Sequence, residues 1–274
     1  MSCLIDRVVT RGDGYCYCLA RSAANPFKGS MNVAKQYRIL YLAGFGLLGV
    51  AAAVTGLVYW LGVDSLVKYR GDLVYYTQQH LKLVAVSMTL AILVGVPAGV
   101  LISRPMFEKH AERAVQVFNI GNTLPSLAVL ALSMAVLGIG DRPAILALWL
   151  ASLLPIVRNA YEGLRQVPPA LRESARGMGM TPAQVLFRVD LPNAMPVIVG
   201  GIRTALAINV GTAPLAFLIG ADSLGQLIFP GIYLNDPTKL LLGAGGTALL
   251  ALVLDGIVAV ASGLWFARHG AAAR

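Results

Sequence analysis

The sequence predicts an all-α membrane protein, and three observations carry that prediction. Of 274 residues, 57% are hydrophobic and only 13% are charged, too few charges to cover a soluble surface. Six apolar segments can be marked along the chain, each of about 20 residues, the length a hydrocarbon core demands. The basic residues, which give a formal net charge of +9, sit in short connections between those segments. That spread follows the positive-inside pattern and argues against a nucleic-acid partner.

The first thirty residues hold all three cysteines, Cys3, Cys16 and Cys18, and lack the apolar core of a signal peptide. A lone Cys-x-Cys with no second pair and no nearby histidine is a weak metal signal, and no metal site is expected. Met31 opens MNVAKQYRIL just ahead of the first span, so residues 1–30 are expected to be a dispensable leader or a misassigned start. Residues 31–80 then hold the first span and an external loop, residues 81–266 the core, and 267–274 a tail.

The predicted spans lie near 39–62, 81–103, 114–139, 143–161, 194–219 and 240–266. Lys28, Lys35, Arg38, Arg104, Lys109, Arg113, Arg158, Arg165, Arg172, Arg176, Arg188, Arg268 and Arg274 all fall on one side if both termini are cytosolic. The opposite loops carry Lys68, Arg70, Lys82, Arg142 and Lys239, several offset by Asp64, Asp72, Asp141 and Asp236. Both termini are therefore expected in the cytosol. Trp60 and Trp265 fall near span ends, where indoles anchor at the interface. Segment 220–239 is interrupted by Gly225, Pro230, Gly231 and Pro237 and reads as an external loop with a short re-entrant or interfacial helix.

The longest cytosolic connection is ordered by its local chemistry. Pro168 and Pro169 stop the preceding span, and Pro169 suits the first turn of a new helix over ALRESARGM. Gly177 and Gly179 then weaken the helix and let the chain reverse. Thr181, Pro182 and Gln184 spell a capping box with proline at the first helical position, opening a second helix PAQVLFRVD that ends before Leu191-Pro192.

From Glu173 to Pro192 the connection reads ESARGMGMTPAQVLFRVDLP. This resembles the EAA signature, E-A-A-x3-G-x9-I-x-L-P, of permease subunits of ATP-binding-cassette importers. Glu173, Ala175, Gly179, Leu191 and Pro192 fit it, while Ser174 and Val189 depart mildly. The resemblance implies a cytosolic coupling helix within 162–192 that docks in a groove of an ATPase subunit. Glu173 would supply polar contacts, Ala175 a small packing face and Gly179 the turn, with Arg176 and Gly177 beside them. An ordinary amphipathic surface hairpin is the plainer alternative.

Polar residues inside the spans admit two readings. Asn119, Asn122, Thr123 and Ser126 cluster around Pro125, and Asn209 and Thr212 lie three apart in the fifth span. They line a translocation path, or they are interhelical hydrogen bonds, each worth about 0.6 kcal/mol. Arg203 and Asp255 are costlier, since a charge at mid-bilayer costs about 2.5–3.5 kcal/mol on insertion scales. Arg203 lies 11 residues after Pro192 and Asp255 lies 11 before Phe266. Their equal depth predicts a pair, serving either as a packing lock or as a substrate site. Gly44, Gly46, Gly49 and Gly56 in the first span, and Gly95 and Gly99 in the second, point to close helix packing.

Beyond the signature, HLKLVAVSMTLAILVGVPAGVLISR, NTLPSLAVLAL and the run from GMTPAQ to DSLGQLI resemble permeases of osmoprotectant importers. That family moves glycine betaine, carnitine, choline and related quaternary ammonium compounds. The resemblance implies one N-terminal helix plus a five-helix type I importer core in the bacterial inner membrane. It also implies a second permease subunit, identical or homologous, two ATPase subunits and an external substrate-binding protein. No Gly-x4-Gly-Lys-Ser/Thr loop is present, so ATP and Mg belong to the partner ATPase and no cofactor to this chain. A methionine-like amino-acid importer shares the architecture, and an ion-coupled secondary carrier is a reading from another class. No internal repeat supports the carrier. An enzyme is not expected, because His80, His110 and His269 lie at span ends or in loops and no catalytic motif surrounds them.

Overall fold

The computed structural model describes Gly56 and residues 63–104 and 125–268. Among the described residues all regular structure is helical. Helix α1 spans Val63–Ile102, α2 Ser126–Leu137 and α3 Asp141–Arg165. Two short helices follow, α4 over Pro169–Gly177 and α5 over Pro182–Val185. A π-turn at Leu186–Asp190 leads into α6, Leu191–Thr212, which tightens to a 3₁₀ segment at Ala213–Ile219. Helices α7, Gly225–Tyr233, and α8, Pro237–Arg268, complete the described chain.

Among the described residues four stretches are long and apolar enough to cross a membrane: Ser65–Ile102, Asp141–Arg165, Pro182–Ile219 and Pro237–Phe266. The predicted span 39–62 lies outside the described residues apart from Gly56, as do Cys3, Cys16, Cys18, Met31 and Trp60. Of the predicted span 114–139 only the part from Pro125 onward is described, and its helix is the 12-residue α2.

Helix α3 sits at the centre, packed against both α1 and α6. Two close approaches make this possible. A Cβ on Gly99 would meet the Val157 carbonyl oxygen at 2.8 Å, and one on Gly95 would meet Ile156 Cγ2 at 2.9 Å. The Gly-x3-Gly of α1 thus lets the α3 backbone lie directly on it, the packing that small residues permit in a bilayer. Leu83, Val84, Met88, Ala91, Leu148, Ile156, Leu206 and Val210 form the main core between these helices. A second cluster of Ala160, Leu164, Val167, Ala194 and Ile198 lies toward the end that carries α4 and α5.

Three boundaries depart from the sequence reading. Residues 63–80 are helix and not loop, because α1 runs unbroken for 40 residues, about 60 Å at 1.5 Å per residue. His80 accordingly lies within that helix, at 0% exposure, and not at its start. The helix opened by Pro182 does not end before Leu191-Pro192. Leu191 N–H donates to the Leu186 carbonyl, five residues back, and the chain continues as helix. A proline at 192 has no N–H to offer and its ring crowds the carbonyl four residues earlier, so a wider turn just ahead of it keeps the helix going. The fifth span changes at Thr212 to 3₁₀ geometry, where Pro214 interrupts the α-helical bonding.

Candidate functional site

The helical hairpin between α3 and α6 is built from four local devices. Pro168 and Pro169 separate α3 from α4 and start the latter with proline at its first position. At the end of α4, Met180 N–H donates to Ala175 O at 3.1 Å and Gly179 N–H to Arg176 O at 2.9 Å. That pair of bonds is a Schellman ending, and Gly179 holds the left-handed position it needs, with φ of 80°. Thr181 then caps α5. Its Oγ1 accepts from Gln184 N–H at 3.4 Å, and its own N–H donates to Gln184 Oε1 at 2.9 Å. The fourth device is the π-turn.

Of the sequence-predicted residues in this hairpin, Glu173, Ser174, Arg176, Gly177 and Gly179 are exposed. Ser174 Oγ donates to its own helix at Ala170 O, 2.8 Å away, while Glu173 and Arg176 stand exposed beside it. Ala175, expected as a small packing face, packs within the hairpin. It is 1% exposed, because α4 turns this side toward the π-turn and α5. Val189, Leu191 and Pro192 are half-buried, and the Val189 carbonyl accepts from Asn193 Nδ2 at 2.7 Å.

The residues that hold the hairpin together escape the signature. Arg172 Nε donates to Asp190 Oδ1 at 2.7 Å, and Arg172 Nη2 donates to the Leu164 carbonyl at 2.6 Å. Asp190 is 4% exposed. Arg104, just past the end of α1, sets Nη1 3.9 Å from Asp190 Oδ2. One buried carboxylate, just ahead of α6, is thus shared by Arg104 past the end of α1 and Arg172 of α4, with α3 joined through Leu164. The sequence shows Asp190 as an aspartate between apolar residues just ahead of a predicted span, but nothing local says which arginines meet it.

The intramembrane groups divide. Arg203 Nε and Nη2 each donate to one oxygen of Asp255 at 2.7 Å, a bidentate fork between α6 and α8. Their side chains are 40% and 37% exposed, so the pair lies at the surface of the described bundle. Asn209 is fully buried and faces no open surface. Its Nδ2 reaches Ser152 Oγ at 2.6 Å, Ser87 Oγ at 2.9 Å and Leu148 O at 3.3 Å, tying α6 to α1 and α3. Thr212 Oγ1 bonds within its own helix to Ile208 O at 2.8 Å. Ser126 is half-buried at the first turn of α2, while Asn119, Asn122 and Thr123 lie outside the described residues. The predicted polar cluster around Pro125 is therefore described only from Pro125 and Ser126 onward. Among the described residues no group of three or more histidine, cysteine or acidic side chains is placed to hold a metal.

The described residues form a bundle of long apolar helices with a capped, salt-bridged hairpin between two of them, and comparison with known proteins gives its class. The chain belongs to the family of binding-protein-dependent transport system inner membrane components, whose pattern matches residues 91–267. It is 59% identical to the osmoprotectant import permease protein OsmY of Salmonella typhimurium, over 77% of this chain and 88% of that protein. It is 44% identical to the choline transport system permease protein OpuBB of Bacillus subtilis, over 73% of this chain and 91% of that one. Among solved structures it resembles the MetNI methionine ABC transporter in an inward-facing conformation. That match has a TM-score of 0.59 at 26% identity, covering 69% of this chain and 92% of the other. The chain is thus a multi-pass inner-membrane permease subunit.

Proposed function

We propose that this chain is the permease subunit of an ATP-driven importer for osmoprotectants, meaning glycine betaine, carnitine, choline or related quaternary ammonium compounds. The observation that carries the substrate class is the 59% identity to an osmoprotectant import permease, against 26% to the methionine transporter. In this reading both termini face the cytosol, six helices cross the membrane, and residues 168–192 dock a separate ATPase that holds ATP and Mg. The exposed Glu173 and Arg176 and the Gly179 turn meet the groove, while Arg172 and Asp190 carry its motion to the spans. A second permease subunit covers the half-exposed Arg203–Asp255 pair, which would otherwise face lipid at a cost of several kcal/mol. An external binding protein delivers the substrate.

One of the polar residues takes a structural role in this reading. Asn209 is a knot between helices and not a lining group, because its donors are spent and its side chain is buried. Ser126 and Thr212, both half-buried, remain candidates for the path together with Asn119, Asn122 and Thr123.

The test is uptake of radiolabelled glycine betaine into vesicles carrying the complete complex, with and without internal ATP. Carnitine, choline and methionine serve as competitors. ATP-dependent uptake competed by the quaternary amines is expected. Uptake that ignores ATP and follows an ion gradient contradicts the mechanism, and competition by methionine alone contradicts the substrate class.

A further inference from the structure

We propose that Arg104 is the movable arm of the linkage at Asp190, a positioning residue that engages this carboxylate fully only when the ATPase subunits close. The proposal rests on reading residues 168–192 as the ATPase-docking element.

The two arginines at Asp190 are held very differently. Arg172 is fixed at both ends of its fork, to Asp190 Oδ1 at 2.7 Å and to the Leu164 carbonyl at 2.6 Å. It therefore binds the start of α6 to the end of α3 and leaves no slack. Arg104 approaches the other oxygen only to 3.9 Å, beyond hydrogen-bond range. Its Nε is buried and has no acceptor among the described residues. A guanidinium presents its donors in a rigid fork that suits a carboxylate, and a buried donor left unpaired is costly. The Nη1 donor thus stops about 1 Å short of a bond to Oδ2, while Nε of the same guanidinium has no acceptor at all.

Backbone placement says which element supplies that last step. Arg104 follows the final turn of α1, where Ser103 N–H donates to Gly99 O and Arg104 N–H to Leu101 O. Asp190 closes the π-turn at the head of α6. The bond that is not yet made therefore joins α1 to the hairpin, whereas the one already made joins α3 to it. A rigid-body shift of the hairpin against α1, of the size that interface rearrangements produce, completes it. Closure of the ATPases pushing on α4 is the available cause of such a shift.

The experiment uses the complete complex in vesicles and reads glycine betaine uptake and ATP hydrolysis on the same sample. Arg104→Gln is expected to lower uptake per ATP hydrolysed at least tenfold, with Arg104→Lys intermediate because it restores one point contact. An unchanged ratio in Arg104→Gln overturns the proposal. A second arm leaves the ion-pair network intact. With the native cysteines replaced, Ser103→Cys and Asn193→Cys are joined by a short bifunctional reagent with and without trapped nucleotide. Faster cross-linking with nucleotide is expected, and equal rates overturn the proposal. This arm needs no substrate, so it still decides the matter if the wild-type complex fails to take up betaine. That failure would count against the proposed function instead.

Discussion

Arg172 and Asp190 stand 18 residues apart in sequence, yet Nε and Oδ1 are 2.7 Å apart and close the α4–α5 hairpin on itself. The Asp190 side chain is only 6% exposed, against 31% for Arg172. Breaking such a pair from one side leaves a charge buried without compensation. Arg172→Leu is therefore expected to lower stability by about 3 kcal/mol, the low end of the range for buried pairs because Arg172 is partly solvated. Arg172→Leu combined with Asp190→Leu is expected to cost less than the sum of the single changes. Thermal denaturation of the purified chain in detergent, for the parent, both single variants and the double, measures this, and strict additivity would show that the pair contributes nothing.

Gly179 is expected to be intolerant for a backbone reason alone. Its φ is 80° and an added Cβ would meet nothing within 4 Å. Gly179→Ala therefore meets no clash, only the left-handed penalty of about 1 kcal/mol, and Gly179→Asn is expected to cost less. The melting temperatures of the two variants decide it; an alanine variant as stable as the parent would rule out the turn as drawn.

Asn209→Ala separates a knot from a lining residue. Losing donors to Ser87, Ser152 and Leu148 is expected to cost about 1–2 kcal/mol of stability. The KM for glycine betaine is expected to stay within about twofold, since a spent, buried side chain gives substrate nothing to bind. A large rise in KM at unchanged stability would move Asn209 into the path.

The Arg203–Asp255 fork is expected to fail in either single neutralisation, because an unpaired charge at this depth is costly. Exchanging the two residues, Arg203→Asp with Asp255→Arg, is expected to recover part of the membrane-inserted yield. Insertion measured by fluorescence of a C-terminal fusion reads the outcome. A double variant no better than the worse single one would show that direct pairing is not what the membrane requires.

Much of the hairpin was legible in the sequence because its instructions are local. Thr181, Pro182 and Gln184 specify a capped start within four residues, and Gly179 an end within one turn. The Arg172–Asp190–Arg104 cluster was not legible, since any of several arginines lay within reach of Asp190 in sequence terms and only packing selects among them. Residues 63–80 were read as a loop because Asp64, Lys68, Arg70 and Asp72 dilute the apolar signal. Helix needs only backbone continuity there, and the exposed positions of α1 accept charge. The π-turn before Pro192 was hidden for the opposite reason: proline is a strong local stop signal, and here a widened turn absorbs it. Asn209 was visible as a polar residue in a span, but the choice between path and knot depends on partners 57 and 122 residues away.

The most direct test of the central claim, that the hairpin is where the ATPase docks, is site-specific photocross-linking in the assembled complex. Met178 and Tyr233 are 71% and 74% exposed, the first on the hairpin and the second at the end of α7. A photoreactive residue is placed at each position in turn and adducts are identified by mass. The account predicts an adduct with the ATPase subunit from position 178 and none from 233. An ATPase adduct from 233, with none from 178, would contradict it.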